Sequence, residues 1–99
     1  MARLTDLAAK IRSKNAGPFW VTVDIFCGDA ERFEEIRHRL HTETVCARLQ
    51  VDPATVKRFD IESLAVIKFS VIRPAVQGSR FDRDMHGAQL AVLFAEMDI

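Results

Sequence analysis

The run Ile11-Arg12-Ser13-Lys14-Asn15-Ala16-Gly17-Pro18-Phe19-Trp20 brings two cations and two small polar residues to a Gly-Pro corner just ahead of an apolar stretch. An anion is held by cationic side chains together with backbone N–H groups that have no secondary-structure partner, and a turn containing glycine presents both. Arg12, Ser13, Lys14, Asn15 and Gly17 are therefore candidate ligand-binding residues. The same run also fits a helix stop, with cations in the last turn, Gly at the reversal and Pro beyond it. Both readings stand on spacing alone.

Asp24 and Lys68 each interrupt an apolar strand pattern, and a half-buried charge requires a partner. An ion pair between them is the structural explanation. The functional one is a site in which Lys68 meets an anionic ligand or transfers a proton. A second chemical segment runs from Gly78 to Gln89, where Asp82, Asp84 and His86 alternate between Arg80, Arg83 and glycines. These groups can ligate a divalent ion or supply a carboxylate that orients a base. Their spacing matches no metal-ligand pattern, and Asp84 equally suits a helix cap, so neither a metal nor a cofactor is assigned. His38 and His41 stand three apart near a helix end, where they favour the carboxy-terminal dipole. Cys27 reads as a buried structural thiol, since no histidine adjoins it in sequence.

These groups must be positioned by a single domain, 1–99, because 99 residues make one core. Fourteen Lys and Arg balance fourteen Asp and Glu, so no global attraction draws the chain to nucleic acid or an anionic membrane. Cys27 and Cys46 form no CxxC, and no apolar run approaches a membrane span; both point to a reduced, cytoplasmic protein.

Leu4, Leu7, Ala8 and Ile11 fall at helical spacing, which predicts a short helix ending near Ser13. Phe19 to Cys27 reads as a strand with Phe19, Val21, Val23, Ile25 and Cys27 on one face and Trp20, Thr22, Asp24 and Phe26 on the other. Gly28-Asp29 ends it and caps a helix carrying Ala30, Phe33, Ile36 and Leu40, acidic residues leading and basic ones following. Thr42 caps a short helix with Val45 and Leu49, and Asp52-Pro53 opens a further turn. Val56 to Phe59 and Leu64 to Ile72 are strands, the second with Ala65, Ile67, Phe69 and Val71 on its apolar face. Leu90, Leu93 and Phe94 indicate a last helix, with 97–99 as a terminal extension. This order predicts an α+β, ferredoxin-like split βαβ sandwich: a four-stranded antiparallel sheet with helices on one face and an extra N-terminal helix. In that topology Asp24 and Lys68 face each other across the two central strands, away from the helices.

The segments 11–19, Thr22-Val23-Asp24-Ile25, Ala65-Val66-Ile67-Lys68, Ile72-Arg73-Pro74, and Asp84 with Gly87-Ala88-Gln89 resemble the domain-of-unknown-function family numbered 4387. The resemblance spans nearly the whole chain, and its first segment is the most specific. A weaker similarity, Arg12-Ser13 followed by a basic, glycine-containing turn and a strand, is to the small ferredoxin-like domain of AtuA-like acyclic terpene utilisation proteins. It implies a small accessory subunit that completes a larger AtuA-like protein, a hydratase or lyase acting on a small organic acid or its thioester. At matching positions it implies Arg12, Ser13, Lys14, Asn15, Asp24, Lys68, Arg73, Asp84 and Gln89 as site residues. This chain has His86 where relatives are expected to carry Tyr, which argues against an essential imidazole there.

Two rival expectations accompany this reading. One is a freestanding enzyme in which Lys68 or Asp84 is the general acid or base and Arg12, Lys14 and Arg73 hold a substrate carboxylate. The other is a noncatalytic ligand sensor or homo-oligomeric scaffold. Nucleic acid is not an expected partner, because the charge is balanced and the paired aromatics of an RNA-binding sheet are missing.

Overall fold

A single helical turn, Leu4–Leu7 (α1), drops Leu4 into the interior, and the Ala8 N–H closes it on the Leu4 carbonyl at 2.9 Å. The computed structural model describes residues 2–16, 19–72 and 88–99. The predicted helix to Ser13 is overturned, because Lys10–Asn15 forms a strand (β1). Ile11 reaches the core from that strand, so its place in the helical repeat is a coincidence of spacing. Lys10, Arg12 and Lys14 recur at period two and stay exposed, the charge pattern of an edge strand protected against further pairing.

Trp20–Phe26 (β2) follows the predicted alternation, with Val21, Val23 and Ile25 fully buried. Phe19 lies just outside the strand and is 55 % exposed, contrary to its expected place on the buried face, whereas Cys27 is buried as expected. The Asp29 carboxylate accepts the Arg32 N–H at 2.7 Å and starts Ala30–Arg39 (α2), whose last turn carries Arg37, His38 and Arg39. Thr42–Leu49 (α3) is capped in position by His41 rather than Thr42, and no side chain bonds its first turn. Asp52 caps the 3-10 turn Pro53–Thr55 by accepting the Ala54 N–H at 2.9 Å.

Val56–Ile61 (β3) continues past the predicted end at Phe59. A second 3-10 turn, Glu62–Leu64, then leads to Ala65 at φ 53, so Ala65 belongs to the turn and not to the strand expected of it, while it still packs against the core. Val66–Ile72 (β4) buries Ile67, Phe69 and Val71, and Ala88–Ala95 (α4) closes the described chain before its terminal segment.

The four strands form one antiparallel sheet in the order β1-β2-β4-β3, with β2 and β4 central. The fold is α+β and ferredoxin-like, with its N-terminal helix reduced to one turn. Its last strand position is filled differently from the expected order. The edge beside β2 is taken by β1, which precedes the central strand, while the 97–99 segment makes only an isolated bridge between Arg3 and Asp98. Val23, Ile25, Ile67, Phe69 and Val71 pack on Leu4, Phe33, Ile36, Leu40, Val45 and Phe94, so the described helices share one face of the sheet. Phe69 and Phe94 meet with ring centroids 5.3 Å apart at 52°, a tilted pair favoured by ring quadrupoles.

Arg58 fastens the edge strand β3 to the helix layer. Its guanidinium donates to the Leu40 carbonyl at 2.6 Å, the Arg37 carbonyl at 3.3 Å and the Thr42 hydroxyl at 3.2 Å, while its Nε pairs with Asp60 at 2.9 Å. It therefore satisfies carbonyls left over at the α2 end, where a cation also meets the negative dipole terminus.

Candidate functional site

Period-two geometry places Lys10, Arg12 and Lys14 of β1 on the same sheet face as Trp20, Thr22, Asp24 and Phe26 of β2. Val66, Lys68, Ser70 and Ile72 of β4 and Lys57, Phe59 and Ile61 of β3 complete that face. No described helix covers it. In register, the strands give three rows across the sheet: Lys10, Phe26, Val66 and Ile61; Arg12, Asp24, Lys68 and Phe59; Lys14, Thr22, Ser70 and Lys57.

The predicted juxtaposition of Asp24 and Lys68 is therefore present, and Arg12 flanks Asp24 from the other side. Among the described residues no ion pair within 4.0 Å joins Asp24 to either cation, although five shorter contacts elsewhere meet that limit. Asp24 and Lys68 are each half-buried in the centre of the sheet. The strands supply five cationic side chains to this face against one carboxylate, in a chain whose formal charge is zero. The resulting local field attracts anions.

Four of the sequence-predicted site residues, Arg12, Lys14, Asp24 and Lys68, thus share one surface. Arg12 and Lys14 project from a strand and not from a loop, so their backbone belongs to the β1–β2 ladder. Ser13 and Asn15 alternate to the opposite face, where α4 packs against β1. Gly17, Arg73 and Asp84 lie outside the described residues, as do Asp82 and His86; Gln89 falls within α4.

Sequence reading passed over Lys57 and Thr22 as site residues. Their signal was the strand alternation itself, which pairs Thr22 with Asp24 and Ser70 with Lys68 on the polar side of the two central strands. Lys57 Nζ sits 5.6 Å from the Trp20 ring centroid, a cation–π contact. Phe59 is 49 % and Ile72 38 % exposed on the same face.

The two cysteines are free and buried. Burial raises the Cys27 thiol from 9.0 to about 11, with the nearby Asp60 and Asp29 carboxylates pushing the same way. A thiol so protonated is no nucleophile at neutral pH. Burial raises Cys46 as well, aided by Glu43 and Asp52. His38 lies 3.3 Å from Glu34 at the exposed end of α2. With Arg39, His41, Thr44, Asp98 and Ile99 it lines a shallow depression on the helix side. Among the described residues no three His, Cys, Asp or Glu side chains gather as a metal ion requires, and no helix is long and apolar enough to cross a membrane.

No curated protein and no solved structure matches the chain. A family profile does: the one described as Domain of unknown function (DUF4387) matches residues 4–98, which include every strand and helix of the sheet and core described above. By that match over almost its full length, the chain belongs to the DUF4387 family.

Proposed function

We propose that this protein is a small accessory subunit that docks on a larger AtuA-like protein and contributes anion-binding groups to a shared site. One observation carries the reading: Arg12, Lys14, Asp24 and Lys68 stand together on a cationic sheet face that no described helix covers. In this arrangement Arg12 and Lys14 hold the carboxylate of a small organic acid or its thioester. Asp24, between Arg12 and Lys68, keeps the two cations in place, and Lys68 is the group positioned for acid or base chemistry. Arg73, Asp84 and Gln89 are the further contributors implied by resemblance, with Asp84 the second acid or base, and Gly17 is the further one read from the spacing of the run. The larger subunit supplies the depth that a 99-residue sandwich lacks, and the pair acts as a hydratase or lyase.

The test is reconstitution. Co-expression with an AtuA-like protein gives a stable complex on gel filtration, and hydration of a small unsaturated acid or thioester appears only with both chains present. Lys68→Met leaves the complex intact and removes turnover. Separate elution of the two chains at micromolar concentration, with no turnover on mixing, refutes the reading.

A noncatalytic, homo-oligomeric scaffold is the second reading, favoured by exposed Phe59 and Ile72 on the same face. The charge distribution opposes it, since two copies meeting through this face set five cations against five. Analytical ultracentrifugation at low and high salt separates the two, because only self-association shows a concentration-dependent mass for the chain alone.

A further inference from the structure

Next to the Asp24 row lies the row Lys14, Thr22, Ser70 and Lys57. Thr22 is only 7 % exposed, and among the described residues its buried Oγ1 has no hydrogen-bond partner. Valine would fill the same space in a strand without that desolvation cost, so the hydroxyl calls for an acceptor from beyond the described sheet and helices. Ser70 places a second hydroxyl directly opposite on β4. Lys57 leans inward: its Nζ lies 5.6 Å from the Trp20 ring, and Trp20 is on β2, two strands and roughly 10 Å away across the sheet. The Lys57 ammonium and the Trp20 indole therefore meet over the open face, between the edge strand β3 and the central strand β2.

We propose that this row is a phosphoryl-binding subsite, with the Thr22 and Ser70 hydroxyls and the Lys57 and Lys14 ammoniums as its donors. A phosphoryl group offers three acceptor oxygens and a charge near −2, which two hydroxyls and two cations match. A carboxylate, with two oxygens and one charge, leaves a cation and a donor unmatched. Because the Thr22 hydroxyl is screened from water, the ligand enters as a long neighbouring side chain swings aside. Lys14, exposed on the edge strand opposite Thr22, is the neighbour with that freedom. The chemistry is shared by inorganic phosphate and by the phosphates of a phosphorylated thioester carrier. The inference deepens the reading above, resting on it for the open face and naming the anion's class.

Calorimetric titration of the purified chain with inorganic phosphate, coenzyme A and acetate at fixed ionic strength tests it. Phosphate binds saturably in the millimolar range and acetate at least tenfold more weakly. Thr22→Val and Lys57→Met each weaken phosphate at least tenfold, about 1.4 kcal/mol, while thermal melts show both variants folded. Coenzyme A binding tighter than phosphate identifies the carrier as the source; equal or weaker binding identifies free phosphate. No saturable phosphate heat, wild-type affinity in Thr22→Val, or acetate binding as tightly as phosphate overturns the proposal. Complex formation by the same variants with the AtuA-like partner keeps the two readings apart: loss of phosphate binding with the complex intact confines a failure to one of them.

Discussion

Replacing Asp24 with Asn keeps the side-chain shape and removes the one carboxylate that the four strands set among five cations on the open face. Its effects on stability and on anion binding have opposite signs. Asp24 faces Arg12 and Lys68 in register, and cross-strand opposite-charge pairs contribute roughly 0.2–1 kcal/mol each. Neither pair closes to within 4.0 Å among the described residues, which puts both at the low end, so Asp24→Asn costs about 0.4 kcal/mol of folding free energy. For an anion at Thr22, two residues along the same strand, the lost carboxylate stood about 7 Å away. Repulsion over that distance is roughly 0.6–2.4 kcal/mol per unit charge for an effective dielectric between about 80 and 20. Phosphate binding therefore tightens roughly 3- to 60-fold for each unit of ligand charge, the gain shrinking as salt rises and the screening length falls below about 10 Å. Urea denaturation measures the first effect and calorimetry with inorganic phosphate at two salt concentrations the second. Unchanged or weaker phosphate affinity in Asp24→Asn refutes the assignment of Asp24 as a counter-charge to the ligand, and a stability loss above about 3 kcal/mol shows it to be a buried, committed ion partner instead.

Removing the Arg58 guanidinium with Arg58→Met deprives the Leu40 and Arg37 carbonyls of their donor and releases Asp60, and the expected loss is about 2–4 kcal/mol by denaturant titration. A loss under about 0.5 kcal/mol shows that water replaces all of these contacts. For Cys27 the folded-state thiol titrates near 11 against 9.0 for the ordinary value, so folding favours the protonated form. Below pH 9 that preference has no effect on stability, because the thiol is protonated folded or unfolded. Between pH 9 and 11 the unfolded chain loses its proton first, and stability falls by up to about 2.7 kcal/mol. Cys27→Ala flattens this part of the stability profile, and an equal alkaline decline in the variant contradicts the assignment.

The central half of the fold was legible because its strands alternate cleanly. Val21, Val23 and Ile25 against Thr22 and Asp24, and Ile67, Phe69 and Val71 against Lys68 and Ser70, have faces of opposite polarity, and a one-residue slip would invert them. Asp29 and Asp52 were legible as caps because their carboxylates answer local N–H groups. Those bonds need no tertiary partner. β1 was hidden for the converse reason. Its inward positions are Ile11, Ser13 and Asn15, only one of them apolar, so alternation had little contrast to show. Leu4, Leu7 and Ala8 meanwhile offered a helical repeat that Ile11 completed by chance.

The strand conformation of β1 decides where its charges act. As the end of a helix, Arg12 and Lys14 would flank a turn and hold an anion by loop amides. As an edge strand, they enter the sheet register, where Arg12 falls beside Asp24 and Lys14 beside Thr22. The anion-binding capacity thus moves from backbone N–H groups at a corner to side chains spread over a surface. Lys57 could join them only because β3 lies at the opposite edge and its side chain folds back toward Trp20. Strand alternation predicts which face a residue takes, but not how far a lysine reaches along it. The approach of Lys57 to Trp20 is a tertiary fact, and in the proposed subsite it joins Lys14 of the opposite edge in the row of the buried Thr22 hydroxyl.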